Sequence, residues 1–351
     1  MKHYKLLLYI IALSVMASCM RRPFGQFATE VRLDLHVKTE IEHEMVKIPE
    51  PDVMMVLFCN PVTGEIESFD LVSPEGGKVY PEPGTYDVLV YNMKLESTQI
   101  LNDDNLFAME ATTNEISAFD KQQLESLLKR RHNLLEELYL KQLEEAAKSG
   151  QDALKQAEAD VLEQQKLKKE ELIVNEPDHV FVARKENVVI PQLAAGESFR
   201  MTLDLTAETL VETWHVKFTN VNGVEYVTNT VGLMTGLHQS VRLWDQKKSE
   251  NQVTVFFRMG RGQDKKSLFG TFHTFGKHPA YDNGLTVDIG IMNMAGQNDV
   301  YHYDVSDQFN EQNTNHLILI EDEITIKEPE GGGGFKPEVE DWEDIETDVI
   351  I

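Results

Sequence analysis

At 351 residues the chain exceeds the ~250–300 at which one core usually stops growing, so two domains are expected. A hydrophobic share of 41% excludes a wholly disordered chain. A formal net charge of -26, from 33 basic and 59 acidic side chains, excludes a nucleic-acid binder, which needs clustered cations to displace phosphate counterions.

The N-terminus reads MKHYKLLLYIIALSVMASCMRR. Lys2 and Lys5 precede a short apolar run from Leu6 to Val15, about ten residues and too few to span a bilayer, which predicts a signal peptide over 1–18. Met16-Ala17-Ser18-Cys19 is similar to a bacterial lipobox, so lipidation of Cys19 is expected, followed by a linker over 19–28. The other cysteine, Cys59, lies in the apolar run VMMVLFC and is expected to be a buried, inert thiol without a disulfide partner.

Residues 29–118 predict a first β-sandwich. Val31, Leu33, Leu35 and Val37 alternate with Arg32, Asp34, His36 and Lys38, the period of a strand with one wet face. DVMMVLF predicts a central strand, Asn60-Pro61 and Pro74 to Gly77 predict turns, and PEPGTYDVLVYN predicts a turn and a strand. Closely spaced strands without intervening helices predict antiparallel pairing. From 119 to 172 the composition turns rich in Leu, Glu, Lys, Gln and Ala without proline. Leu124, Leu127, Leu128, Leu135 and Leu138 form a narrow helical stripe, and KSGQD at 148–152 either turns the chain into a hairpin or lies within one long helix. Residues 173–328 return to strand patterns and predict a second all-β sandwich, with a hairpin at Asn222-Gly223. An acidic tail with four glycines occupies 329–351.

No catalytic, cofactor or metal motif emerges: there is no HExxH, no GxSxG and no Cys-His set with zinc spacing. GRGQDKKS at 260–267 lacks the ending of a phosphate loop and reads as a turn between strands. No enzyme and no cofactor are therefore expected.

The lipobox, EPDVMMVLFCNPVTGEIESFDLVSPEGG, PGTYDVLVYN, NEPDHVFVAR, YHYDVSDQF and the glycine-rich acidic tail, in this order, resemble the Bacteroides-type fimbrillin-like lipoproteins, in a branch known only as a domain of unknown function. The resemblance implies two tandem β-sandwiches and, with the pattern above, a mainly β chain carrying an inserted charged helical segment. It also implies a lipid-anchored outer-membrane protein, facing the cell surface or the periplasm, with other fimbrial subunits or its own copies as partners. In pilus-forming relatives a C-terminal segment of one subunit fills a groove that opens when an arginine-specific protease removes the first strand of the next. That implies processing at Arg21, Arg22 or Arg32, and a donor strand with Trp342, Ile345, Thr347, Val349 and Ile351. In the tail itself Ile345, Thr347, Val349 and Ile351 share one face while Glu346 and Asp348 share the other. The helical insertion is foreign to the general fimbrillin sandwich and points to an accessory or non-polymerising branch. The alternative reading is an envelope lipoprotein that holds a glycan or a protein partner, with Trp214 and Trp244 as stacking surfaces.

Overall fold

The computed structural model describes residues 29–39, 48–116, 118–169, 171–194, 196–262, 264–291 and 298–327. Seven strands come first: β1 (Thr29–Val37), β2 (Met54–Cys59), β3 (Ile66–Val72), β4 (Gly76–Val79), β5 (Gly84–Asn92), β6 (Thr98–Leu101) and β7 (Glu110–Thr113). Two helices follow, α1 (Ala118–Ser149) and α2 (Gln151–Lys169). Next come β8 (Ile173–Val174), β9 (Phe181–Ile190), β10 (Phe199–Thr209), β11 (Glu212–Phe218), β12 (Val221–Asn222), β13 (Val227–His238) and β14 (Ser240–Arg242). The last are β15 (Gln252–Arg261), β16 (Leu268–Thr274), β17 (Gly284–Ile291), β18 (Asn298–Asp304), β19 (Leu317–Ile320) and β20 (Ile324–Thr325). The chain is mainly β, as its alternating patterns require.

Two compact units divide the chain, and each draws on separated stretches. Unit 1 takes Pro51–Met93 and Ala183–Ala207 together with the N-terminal stretch that ends at Val37. Unit 2 takes Lys38–Glu50, Lys94–Val182 and everything from Glu208 onward. This differs from the continuous domains 29–118 and 173–328 expected above. The physical reason is β1: it pairs in parallel with β10, aligning Leu33 with Leu203 and Leu35 with Leu205, and so draws a distant strand into the first unit.

The sheet of unit 1 runs β3-β2-β5-β9-β10-β1-β4. Its two end strands, β3 and β4, are neighbours in sequence, joined by a turn in which the Gly76 amide donates to the Ser73 carbonyl at 2.9 Å. The sheet therefore folds back on itself into two layers, with Val31, Leu33, Leu35, Val56, Phe58, Val88 and Val90 buried. Gly76 has a φ of 103° and stands where a Cβ would lie 2.1 Å from the Leu33 carbonyl oxygen, so glycine is required there on two counts.

Unit 2 is built on the sheet β18-β17-β13-β15-β16-β11-β19, with β8 added in parallel to β15. Its core gathers Trp214, Phe218, Phe257, Phe272, Leu285, Val287, Val305, Phe309 and Ile318. Pairing is mostly antiparallel, but β1–β10, β11–β19, β12–β20 and β8–β15 are parallel, which corrects the purely antiparallel expectation. The hairpin expected at Asn222-Gly223 is also corrected: β12 pairs in parallel with β20, and Gly223 (φ 83°) leads into a short 3-10 turn at Val224–Tyr226. GRGQDKKS is a turn between β15 and β16, clamped by Asp264, which accepts from the Lys266 and Ser267 amides at 2.9 Å each.

The helical stretch is a hairpin, not one long helix. Gly150, with a φ of 124°, breaks it between α1 and α2. Leu124 and Leu127 pack with Ile116, Ile173, Val231 and Leu233, and Leu135 and Tyr139 pack with Val161 of α2, so the stripe serves two contacts in succession. Leu138 stays exposed.

Candidate functional site

Strand β1 carries Arg32, one of the arginines singled out above. Thr29, Val31, Leu33 and Leu35 are buried while Arg32, Asp34 and His36 face water, as the alternation predicts. Both edges of the strand are occupied, by β10 on one side and by β4 on the other. Lys78 of β4 reaches across β1 to Glu30 at 3.0 Å, and His36 lies 3.8 Å from Asp204 of β10. Arg32 sits inside the strand, level with Thr202 and Lys78. A cut after Arg32 would thus sever β1 and leave 33–37 attached. The stretch 38–53 contains no arginine, so an arginine-specific protease has no position there from which to free the whole strand. Cys19, Arg21, Arg22, Trp342, Ile345, Thr347, Val349 and Ile351 lie outside the described residues.

Cys59 and Trp214, also singled out from the sequence, are buried core residues. Cys59 is fully buried, and burial first, then the carboxylates of Asp87 and Glu67, push its thiol up to about 12, which removes the reactive thiolate at neutral pH. Trp214 is 3% exposed, stacked on His316 with ring centroids 4.5 Å apart and tilted against Phe309 at 4.3 Å. Its face is therefore closed to a sugar. Trp244 is half-buried. Asn283 is fully buried and donates to the carbonyls of Thr235 and Gly236 at 3.0 Å each, a loop-fixing role.

In unit 2 the fold assembles a polar cluster that sequence spacing hides. His179 and His273 are far apart in sequence, yet their rings meet edge to face at 4.6 Å. Glu176 accepts from the His273 amide at 3.1 Å, and its carboxyl lies 3.7 Å from His273 Nδ1. His179 contacts Thr209 at 3.1 Å and Thr213 at 3.4 Å. Next to it Asp178 accepts from the Ser97 and Thr98 amides at 2.7 and 2.9 Å. Burial raises the Glu176 carboxyl to about 8; burial and its neighbour imidazole lower His179 to about 3, and burial lowers His273 to about 4. Near neutrality the two imidazoles are neutral and the Glu176 carboxyl is mostly protonated, so these three groups offer no activated nucleophile; the cluster ties the start of β9 to β11 and β16. Among the described residues no group of three or more His, Cys, Asp and Glu is arranged to hold a metal ion, and no helix is long and apolar enough to cross a membrane.

These shifts fix the sign of a pH dependence. The depressed histidines contribute stability that is lost as pH falls below about 6.5. The raised Glu176 contributes stability that is lost as pH rises from about 4.5 through 8. Two histidines outweigh one glutamate below 6.5, so the cluster's contribution is expected to peak near pH 6.5. Glu176→Gln should abolish the loss between 6.5 and 8. Melting temperatures of both proteins across pH 4–9 check this, and an unchanged alkaline slope in the variant would contradict it.

The mainly β fold described above is similar to that of a solved Bacteroides protein. A putative adhesin from Bacteroides ovatus has a TM-score of 0.52 at 17% identity, over 86% of this chain and 94% of that one. Putative polysaccharide binding proteins from Bacteroides thetaiotaomicron give 0.44 at 9% identity, over 83% and 89%. The fimbrial anchor protein Mfa2 from Porphyromonas gingivalis gives 0.43 at 10% identity, over 83% and 88%. The model of a family described as a domain of unknown function (DUF5119) matches residues 26–258, and the chain belongs to that family. No curated protein matches the sequence.

Proposed function

We propose that this chain is a non-enzymatic, adhesion-related accessory subunit of the cell envelope. It is anchored in the outer membrane by lipid on Cys19 after removal of residues 1–18. It engages a neighbouring subunit by donating residues 345–351 as a β-strand. The fold shared with the Bacteroides ovatus putative adhesin supports the adhesion-related role.

The observation that carries the reading is β1. This fold buries alternate side chains of one strand between two neighbours while the intervening Arg32, Asp34 and His36 stay in water. The tail repeats that pattern, with Ile345, Thr347, Val349 and Ile351 on one face and Glu346 and Asp348 on the other. A like-folded partner that lacks its own first strand would accept the tail through main-chain hydrogen bonds and alternate side-chain pockets. Burial of the three aliphatic side chains and Trp342 supplies on the order of 6–12 kcal/mol before ordering costs.

The arginine positions favour a one-sided role. Arginine-directed cleavage does not release β1 intact, so the chain keeps its own first strand and donates without accepting. A cut at Arg21 or Arg22 would instead part the folded chain from its lipid on Cys19. Labelled palmitate is expected in the wild type and absent from Cys19→Ala. Deleting 335–351 is expected to abolish detergent-resistant complexes on unboiled gels while the monomer's melting temperature stays the same. Complexes that survive the deletion unchanged would overturn the reading.

A further inference from the structure

Strand β3 closes one end of the sheet of unit 1 and pairs with β2 alone. Its neighbour in the chain, β4, bridges to it only at the turn, Ser73 to Gly76. The rest of its outer edge has no strand beside it among the described residues. There the Leu71 amide donates to the carboxylate of its own neighbour, Asp70, at 2.9 Å. Side chains alternate along β3, and Phe69 and Leu71 share the face on which the pairing sets Leu57 opposite Phe69 and Met55 opposite Leu71. Phe69 is 68% exposed and Leu71 55%. Val62, in the turn that joins β2 to β3, is 85% exposed, so this hairpin holds the two most exposed large apolar side chains among the described residues.

An unpaired strand edge beside exposed apolar side chains is a template for one more strand. A strand laid along β3 would hydrogen-bond to its free main-chain groups and extend the Leu57–Phe69 and Met55–Leu71 rows with side chains of its own. The charge around the edge selects which strand. The stretch 60–77 carries Glu65, Glu67, Asp70 and Glu75, and no lysine, arginine or histidine. A second copy would bring the same acids edge to edge, and acids are the only charged side chains in the tail over 338–351. Like charges therefore oppose both of these occupants.

We infer that β3 docks an extended segment of a partner protein in which apolar residues alternate with lysine or arginine. The apolar residues stand beside Phe69 and Leu71, and a cation between them meets Asp70 on the other face. The inference does not rest on donation of the tail, and it leaves β1 in place: the strand is added at the edge of the sheet, not exchanged within it.

Fluorescence anisotropy with labelled peptides and the full chain tests it. One peptide alternates valine with lysine, a second alternates valine with glutamate, and a third is the first with its backbone amides methylated, which removes the donors that strand pairing needs. The valine–lysine peptide is expected to bind in the micromolar range and to slow hydrogen exchange at the Phe69 and Leu71 amides. The other two should bind at least tenfold more weakly. So should the valine–lysine peptide to Phe69→Ser, which alters an exposed side chain; if that variant misfolds by circular dichroism, Leu71→Ser decides. No binding of the valine–lysine peptide, equal binding of it by the variants, or equal binding of the methylated peptide would each overturn the inference. Self-association of the peptide-free chain that Phe69→Ser abolishes would overturn it too, since a second copy would then be the occupant.

Discussion

Glu171→Ala is expected to destabilise unit 2 by about 3–5 kcal/mol, because it strands a buried charge. Arg131 lies on the apolar stripe of α1 and is 4% exposed. Its guanidinium makes a forked pair with Glu171, at 3.1 Å from Nη1 and 2.8 Å from Nη2, and Thr254 also donates to this carboxylate. The Arg131 Nε has no hydrogen-bond partner among the described residues, so the carboxylate carries the compensation for this charge. Replacing both partners by apolar residues of similar volume, Arg131→Met with Glu171→Leu, is expected to restore most of the loss, since the pair's desolvation is removed along with its attraction. Urea denaturation, with hydrogen exchange read at α1 and β15, compares the three proteins. A Glu171→Ala protein within about 1 kcal/mol of wild type would show that the pair is not what secures the hairpin.

In unit 1 the largest single loss is expected at Leu33. Leu33 is 2% exposed, between Leu203 of β10 and Gly77 of β4. Leu33→Ala removes buried methyl groups from a packed layer and should cost about 2–5 kcal/mol. Asp34→Ala, on the wet face one residue along, should stay within about 0.5 kcal/mol. Gly76→Ala should weaken the same place through the backbone, because its Cβ would overlap the Leu33 carbonyl. Denaturation monitored by exchange of the β1 and β10 amides separates these outcomes. Equal effects at positions 33 and 34 would mean that β1 is not held by its inner face.

Local structure was legible where one face of an element meets water. The alternation at 31–37, the GRGQDKKS turn and, apart from the exposed Leu138, the helical stripe reached the structure as expected, because period and turn chemistry are local properties. Long-range pairing was not legible. Alternation says that β1 buries one face but not that its neighbour is β10, and that one parallel pairing redraws both units. Arg131 was hidden for a related reason: a charge between Leu128 and Leu135 reads as a break in a stripe until Glu171 is seen to meet it. His179, His273 and Glu176 carry no spacing signal, since the sheet and not the sequence brings them together.

Strand donation by the tail has a periodic signature that one measurement reads directly. A photo-crosslinking amino acid placed singly at 345, 346, 347, 348, 349 and 351, in cells that express the full chain, reports which side chains enter a partner. A docked strand predicts adducts at 345, 347, 349 and 351 and none at 346 or 348. Equal yields at all six positions, or none at any of them, would contradict it.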